Sequence, residues 1–333
     1  MTQNLLIDPL LRALADPTRL RIMRLLAAME LAVGELAQVL GQSQPRVSRH
    51  VKILCDAGLA ERRKEGSWVF LKIAPFAADG PSLRAASARL LAAAEAEDAE
   101  FAAQCAEDRR QLAAIRAGRE TASAQYFARH AEEWDQIRSL LSPDEPVEEA
   151  LARVLPASLG QLLDIGTGTG RMAQCFAPRA AHVTALDKSP DMLRIARTRL
   201  QDLPAGKVDL VQGDFAALPF ADAAFDTLLM HQVLHYAQAP EAVLTQAARV
   251  ARPGAHLAIV DLAAHAHEEL RERHAHARLG FSDAQMAQWF AAAGFSADAP
   301  LALEGGQLTV KIWTGRRLPE NAGTAPNNAK VSP

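Results

Sequence analysis

The chain has 333 residues, 49% of them apolar and 23% charged, with a net charge of −3. That length is enough for two domains with separate cores, and the balance is ordinary for a soluble globular protein. No apolar run approaches the roughly 20 residues that span a bilayer, and the first residues lack the basic, apolar and cleavage order of a signal peptide. Three scattered cysteines, Cys55, Cys105 and Cys175, form no close pair, which argues against a disulfide framework or thiolate zinc site and fits a reducing cytoplasm.

Charge is unevenly spread. Residues 1–75 hold 11 Lys/Arg against 7 Asp/Glu, a net +4, and the remainder 25 against 32, a net −7. A basic head on an acidic body suits nucleic-acid contact by the N-terminal part.

Leu5–Leu26 carries apolar residues at helical spacing, interrupted by Asp16-Pro17-Thr18. Asp16 can cap a helix and Pro17 suits its first position, so a second helix starts there. Val33–Leu40 reads as a short amphipathic helix, Gly41-Gln42-Ser43 as a turn, and Gln44–Ala57 as the next helix. Leu59–Arg63 and Trp68–Ile73 alternate like strands around Lys64–Ser67, a hairpin with Gly66 at its tip. Pro75–Pro81 is a break. Ser82–Ala117 is alanine-rich, without Pro or Gly, and its apolar stripe (Leu83, Leu90, Phe101, Leu112 among others) predicts one long helix packing on another. Glu97 and Asp108 intrude on that seam and disfavour a tight coiled coil.

Two helical segments follow from Gln125 to Leu155, divided near Ser142-Pro143. Strands then alternate with helices: Gln161–Ile165, His182–Asp187, Val208–Gly213, Phe225–His231 and His256–Asp261, with a closing pair near Ala297–Leu303 and Leu308–Gly315. This alternation predicts a parallel α/β sheet. From Arg316 onward no apolar period remains, and disorder is expected.

In a helix-turn-helix, the second helix enters the major groove and presents its first residues to base edges. Here it begins Gln44-Pro45-Arg46-Val47-Ser48-Arg49-His50. Arg46 and Arg49 can reach guanine edges or phosphates, and Gln44, Ser48 and His50 add hydrogen bonds. Arg62, Arg63 and Lys64 on the hairpin would lie over backbone phosphates.

The segments LADPTRLRIMRLL and GELAQVLGQSQPRVSRHVKILCDAGLAERRKEGSWVFLKI resemble the ArsR family of winged-helix bacterial repressors. Asp16-Pro17-Thr18-Arg19, Ser48-Arg49-His50 and Ala57-Gly58-Leu59 carry the likeness. It implies a double-stranded DNA operator and a homodimer built on the first helix and the helix after the wing. Metal-sensing relatives place two cysteines where Ala32 and Gly34 stand here, or use Asp and His on the helix after the wing, and Ser82–Ala117 contains no His. No metal is expected.

The strand Leu162–Ile165 runs into Gly166-Thr167-Gly168-Thr169-Gly170, and glycines let backbone turn sharply and approach a ligand closely. Asp187 ends the next strand, where a carboxylate can accept ribose hydroxyls. A dinucleotide site would look similar. The spacing Asp-x-Gly-x-Gly-x-Gly, the Gly213-Asp214-Phe215 after the third strand, and FDTLLMHQVLHYAQAPEAVLTQAARVARPGAHLAIVDL resemble the class I methyltransferases that use S-adenosylmethionine (SAM), across about residues 125–315. The likeness implies SAM or S-adenosylhomocysteine (SAH) as cofactor. Asp164, Gly166, Gly168 and Gly170 would then form the loop, with Asp164 and Gly166 near the methionine part. Asp187 would sit at the ribose and Asp214 with Phe215 at adenine. His231 would face the sulfur as the candidate catalytic residue.

The histidines His231, His235, His265, His267, His274 and His276 read first as a solvated helix face, next as groups at the ligand pocket, and last as a metal site, since residues two apart do not share a helix face. Arsenic methyltransferases need clustered cysteines, which Cys175 alone cannot supply. A motif of the DNA methyltransferase kind is missing after strand four, where His231-Gln232-Val233-Leu234 stands.

The expected organisation is a multidomain chain: a mainly α winged helix-turn-helix at 1–80, a helical linker at 81–124, a Rossmann-like α/β methyltransferase fold at 125–315 and a tail at 316–333. The expected function is a DNA-binding repressor that takes SAM or SAH as effector. A SAM-dependent methyltransferase acting on a small molecule is the alternative.

Overall fold

The computed structural model describes residues 7–74, 82–141, 144–304 and 308–319. The breaks expected at Pro75–Pro81 and Ser142-Pro143 lie outside them, as does most of the tail. Two compact units emerge: one runs to Ala124 and includes Ala266–Arg273, and the other comprises Gln125–His265 and the chain from His274. Among the described residues no helix is long and apolar enough to cross a membrane.

The first unit opens with α1 (Ile7–Leu14) and α2 (Pro17–Leu26). Asp16 caps α2 by accepting the Arg19 amide at 3.0 Å, with Pro17 in the first turn. A two-residue strand, β1 (Leu31–Ala32), leads into α3 (Val33–Leu40), which stops at left-handed Gly41. Then come α4 (Gln44–Asp56) and the hairpin β2 (Ala60–Glu65) with β3 (Trp68–Ile73). The strand order is β1-β3-β2, antiparallel throughout. Ile22, Leu36, Leu54, Leu59 and Leu71 form the buried centre beneath them.

The helix after the wing is two helices, α5 (Leu83–Glu97) and α6 (Ala99–His130), where the sequence predicted one. Asp98 makes the break. Its Oδ1 accepts the amides of Glu100 and Phe101, each at 3.0 Å, and so starts a new helix without proline or glycine. Two acidic residues of this region form ion pairs that join helices. Asp108 is buried and takes the Arg21 guanidinium two-pronged, and Glu95 is held by both Arg24 and Arg109. Leu91, Cys105 and Leu112 turn inward, while Leu83 and Leu90 stay exposed, like Ile7 and Leu11 on α1.

The residues 266–273 belong to this unit and carry a short helix, Glu268–Arg273. Glu268 accepts the Ser67 amide at the hairpin tip. Arg271 lies 4.3 Å from the Trp68 ring centre and 3.0 Å from buried Glu65.

The second unit takes in the end of α6 from Gln125 and continues with α7 (Trp134–Leu141) and α8 (Asp144–Val154). Its sheet contains β4 (Gly160–Ile165), β5 (Ala180–Asp187), β6 (Val208–Gln212), β7 (Phe225–His231) and β8 (Ala251–Leu262). The remaining strands are β9 (Phe295–Ala297), β10 (Leu301–Leu303) and β11 (Val310–Arg317). The order is β6-β5-β4-β7-β8-β11-β10, with β9 also on β11. Neighbours from β6 to β8 pair in parallel, and β11 is antiparallel to β8. The intervening helices are α9 (Arg171–Phe176), α10 (Pro190–Arg199), α11 (Pro240–Val250) and α12 (Asp283–Ala292).

The order in which strands are added reverses between β4 and β7, since the path from β4 runs outward through β5 and β6 before returning to β7 on the other side of β4. In such sheets the crevice beyond the strand ends at the reversal is where ligands bind. The disorder expected from Arg316 is corrected for its first residues: β11 continues to Arg317, whose guanidinium donates to the carbonyls of Ala248 and Gly294.

Candidate functional site

Helix α4 of the first unit exposes Gln44, Arg46, Ser48 and Arg49, while Val47, Val51 and Leu54 anchor its other side in the core. The helical period thus leaves a polar and cationic row outward. His50 is less available: it is half-buried, with Nδ1 3.6 Å from Asp16. On β2 the alternation of a strand separates three cations that the sequence grouped together. Arg62 and Lys64 are exposed, whereas Arg63 turns to the opposite face. There it pairs with Glu65 at 2.8 Å and Glu30 at 3.1 Å and covers the Phe70 ring.

In the second unit the loop Gly166–Gly170 follows β4 at the reversal point. All three glycines have positive φ, which side chains disfavour. A Cβ on Gly166 would stand 2.3 Å from Val233, so the loops after β4 and β7 touch, and a Cβ on Gly168 would meet the Trp134 indole at 3.5 Å. Asp164 lies beneath the loop, accepts the Thr167 hydroxyl at 2.6 Å and is fully buried, and burial pushes its carboxyl up to about 6. Asp187 holds the loop from the side, accepting the Gly168 amide on Oδ2 and the Ser189 amide on Oδ1, both at 2.8 Å. Each carboxylate oxygen keeps lone pairs beyond these bonds. Asp214 is paired with Lys188 at 2.9 Å, and Phe215 packs partly against the main core.

His231, the last residue of β7, is buried, and its Nε2 makes no hydrogen bond. Burial, with Arg138, Arg171 and His235 nearby, lowers its pKa well below the usual histidine value, so it is neutral at pH 7. The next residue, Gln232, lines a small pocket with Tyr126, Trp134, Arg138, Tyr236, His274 and His276. Gln232 has φ +52°, a conformation rare for residues with side chains. Behind the pocket wall, His235 is buried against Asp261, Nδ1 to Oδ1 at 2.7 Å, and stacks on His276 at 4.0 Å.

Sequence reasoning missed most of this pocket. Tyr126, Trp134 and Arg138 come from helices distant in the chain and belong to no short motif. Gln232 was legible in principle, because it follows His231 directly at the end of strand four. The helix expected around His265–His276 is confined to Glu268–Arg273, and His276 is buried rather than solvated. Among the described residues no cluster of His, Cys, Asp or Glu could hold a metal ion.

Residues 16–62 match the family model for bacterial regulatory proteins of the arsR family, and residues 163–259 match that for a methyltransferase domain. A demethylmenaquinone methyltransferase of Tropheryma whipplei is 35% identical over 133 residues, covering 39% of this chain and 54% of the relative. The chain spans about half the length of the curated relatives it matches. A solved chain from a complex between the Haloferax volcanii Trm112 methyltransferase activator and a methyltransferase is 19% identical, with a TM-score of 0.52 over 60% of this chain and 99% of that one. The [4+2]-cyclase SpnF is 18% identical, with a TM-score of 0.50 over 59% of this chain and 94% of that one. At these identities the structures establish the fold alone, and a fold hosts many activities.

Proposed function

This chain joins an ArsR-family helix-turn-helix to a methyltransferase fold, and we propose that it is a DNA-binding transcriptional repressor whose methyltransferase-fold unit takes SAM or SAH as effector. The observation that carries the reading is the outward row Gln44, Arg46, Ser48 and Arg49 on α4, with Arg62 and Lys64 exposed on the neighbouring hairpin. Such a helix end reads base edges, and such a hairpin touches phosphates. Two half-sites require two reading heads, and the exposed Ile7, Leu11, Leu83 and Leu90 supply apolar surface for a homodimer.

The glycine loop supports the nucleoside part of the proposal. Its three glycines at positive φ leave the turn without side chains, and the Asp187 oxygens retain lone pairs for ribose hydroxyls. The second reading is a small-molecule methyltransferase, favoured by the aromatic and histidine-lined pocket beside the loop. SAM would supply an electrophilic methyl group there, and this chain's own residues would orient the acceptor and exclude water.

The deciding experiment is calorimetry with SAM and SAH, followed by operator binding titrated with each ligand. The repressor reading expects both to bind and to change operator affinity unequally, since only differential affinity for two states shifts an equilibrium. Arg49→Ala should weaken operator binding by roughly 10-fold, a lost base contact costing about 1–3 kcal/mol. Ligand binding with unchanged DNA affinity would move the assignment to the enzyme.

A further inference from the structure

A two-stranded hairpin is marginal in water unless something packs on it. The wing of the first unit meets this problem at its outer end. The short strand β1 pairs with β3 only at Phe70 and Leu71, so among the described residues no third strand reaches Lys64–Val69. Cross-strand partners share a face. That puts Arg63, Glu65, Trp68 and Phe70 on one side of the hairpin and Arg62 with Lys64 on the other.

The segment 266–273 takes hold on the first side. Trp68 has Arg119 of α6 at 5.4 Å from its ring centre and Arg271 at 4.3 Å. Arg119 is itself fixed to Glu35 of α3 at 2.7 Å. Arg271 also pairs with buried Glu65, which holds Arg63 in turn. At the tip, Glu268 accepts the Ser67 amide. The segment thus gives an ion pair, a cation over the ring and a tip acceptor to the part of the hairpin that its ladder supports least. Arg62 and Lys64, on the other side, stay exposed. A clamp so placed fixes the hairpin without covering the cations that would meet DNA.

We propose that Arg271 and Glu268 are positioning residues for DNA binding: they hold the wing so that Arg62 and Lys64 stay directed at backbone phosphates. The proposal rests on the DNA-binding reading above. It adds that the DNA-reading unit is incomplete without a stretch of chain lying between β8 and α12 of the methyltransferase fold.

The test follows binding of the full-length protein to duplex DNA of random sequence by fluorescence anisotropy across a salt series, since phosphate contacts need no particular sequence. Arg271→Gln should weaken binding about 3- to 10-fold at about 0.1 M salt. It should also flatten the slope of log K against log salt by about 1–2, the loss of one or two phosphate contacts. Losing a positive charge would by itself act in the same direction, so the variant is repeated in an Arg62→Ala/Lys64→Ala background. There Arg271 has no wing cations left to position, and its effect should disappear. Glu268→Ala gives the opposite check. Removing a negative charge by itself tightens binding to DNA, whereas losing the clamp weakens it, and a loss of about 2-fold or more should be seen. Because Glu268 lies outside the core, this variant also guards against a folding defect in the arginine one. An Arg271→Gln loss that persists undiminished in the Arg62→Ala/Lys64→Ala background would overturn the proposal. So would unchanged or tighter binding by Glu268→Ala. Either result leaves the DNA-binding reading standing. No binding of DNA by wild type at low salt would overturn that reading and this proposal with it.

Discussion

Asp164 is the buried carboxyl under the glycine loop, and its position gives a pH signature. Its pKa is raised from an ordinary 3.8 to about 6, chiefly by burial, despite the Thr167 hydroxyl that favours the charged form. A raised carboxyl pKa means that the folded state binds the proton more tightly than the unfolded state. Its contribution to stability is therefore present below about pH 4 and is lost as pH rises through about 6. Two units correspond to at most about 3 kcal/mol. Asp164→Asn keeps an acceptor for Thr167 but cannot ionise. Relative to that variant, wild type should lose stability between about pH 4 and 6 in a series of urea titrations. Parallel curves would show that Asp164 ionises as freely in the fold as in the unfolded chain. At this same scale, strand alternation already separates Arg63 from Arg62 and Lys64. The sequence reading grouped them as phosphate contacts by charge alone, and charge carries no face.

Among the elements, those legible from sequence had a strong local signal. The strand Phe225–His231 follows from its apolar run, and α2 from Asp16 and Pro17. The division between α5 and α6 was not legible, because one aspartate in an alanine-rich stretch is ordinary until its carboxylate is seen capping the next helix. The pocket was opaque for a different reason: tertiary packing brings its walls from four separate segments. The apolar stripe on α5 divides likewise, Leu91 inward and Leu83 with Leu90 outward. On the proposed homodimer, Leu90→Glu would bury charge in an apolar contact. Light scattering at micromolar concentration should then find a monomer with weaker operator binding, and an intact dimer would place the interface elsewhere.

At the scale of the whole molecule, the first unit is discontinuous in sequence. Arg271 and Glu65 are both nearly buried where they pair, and Arg271 also covers Trp68. Removing one partner of such a pair strands the other's charge, at a cost of roughly 2 kcal/mol or more. Arg271→Ala in the full chain should therefore speed hydrogen exchange of the amides around Ser67, and unchanged protection would show that the pair contributes no local stability. The same discontinuity sets an order of events on the ribosome. Ala124 and Ala266 are 142 residues apart, so at about 5–20 residues per second the intervening chain takes on the order of ten seconds to make. For that interval the nascent hairpin has neither Glu268 on its tip amide nor Arg271 on its tryptophan. The DNA-reading unit, although encoded first, reaches its full set of contacts only after β4 through β8 have been synthesised.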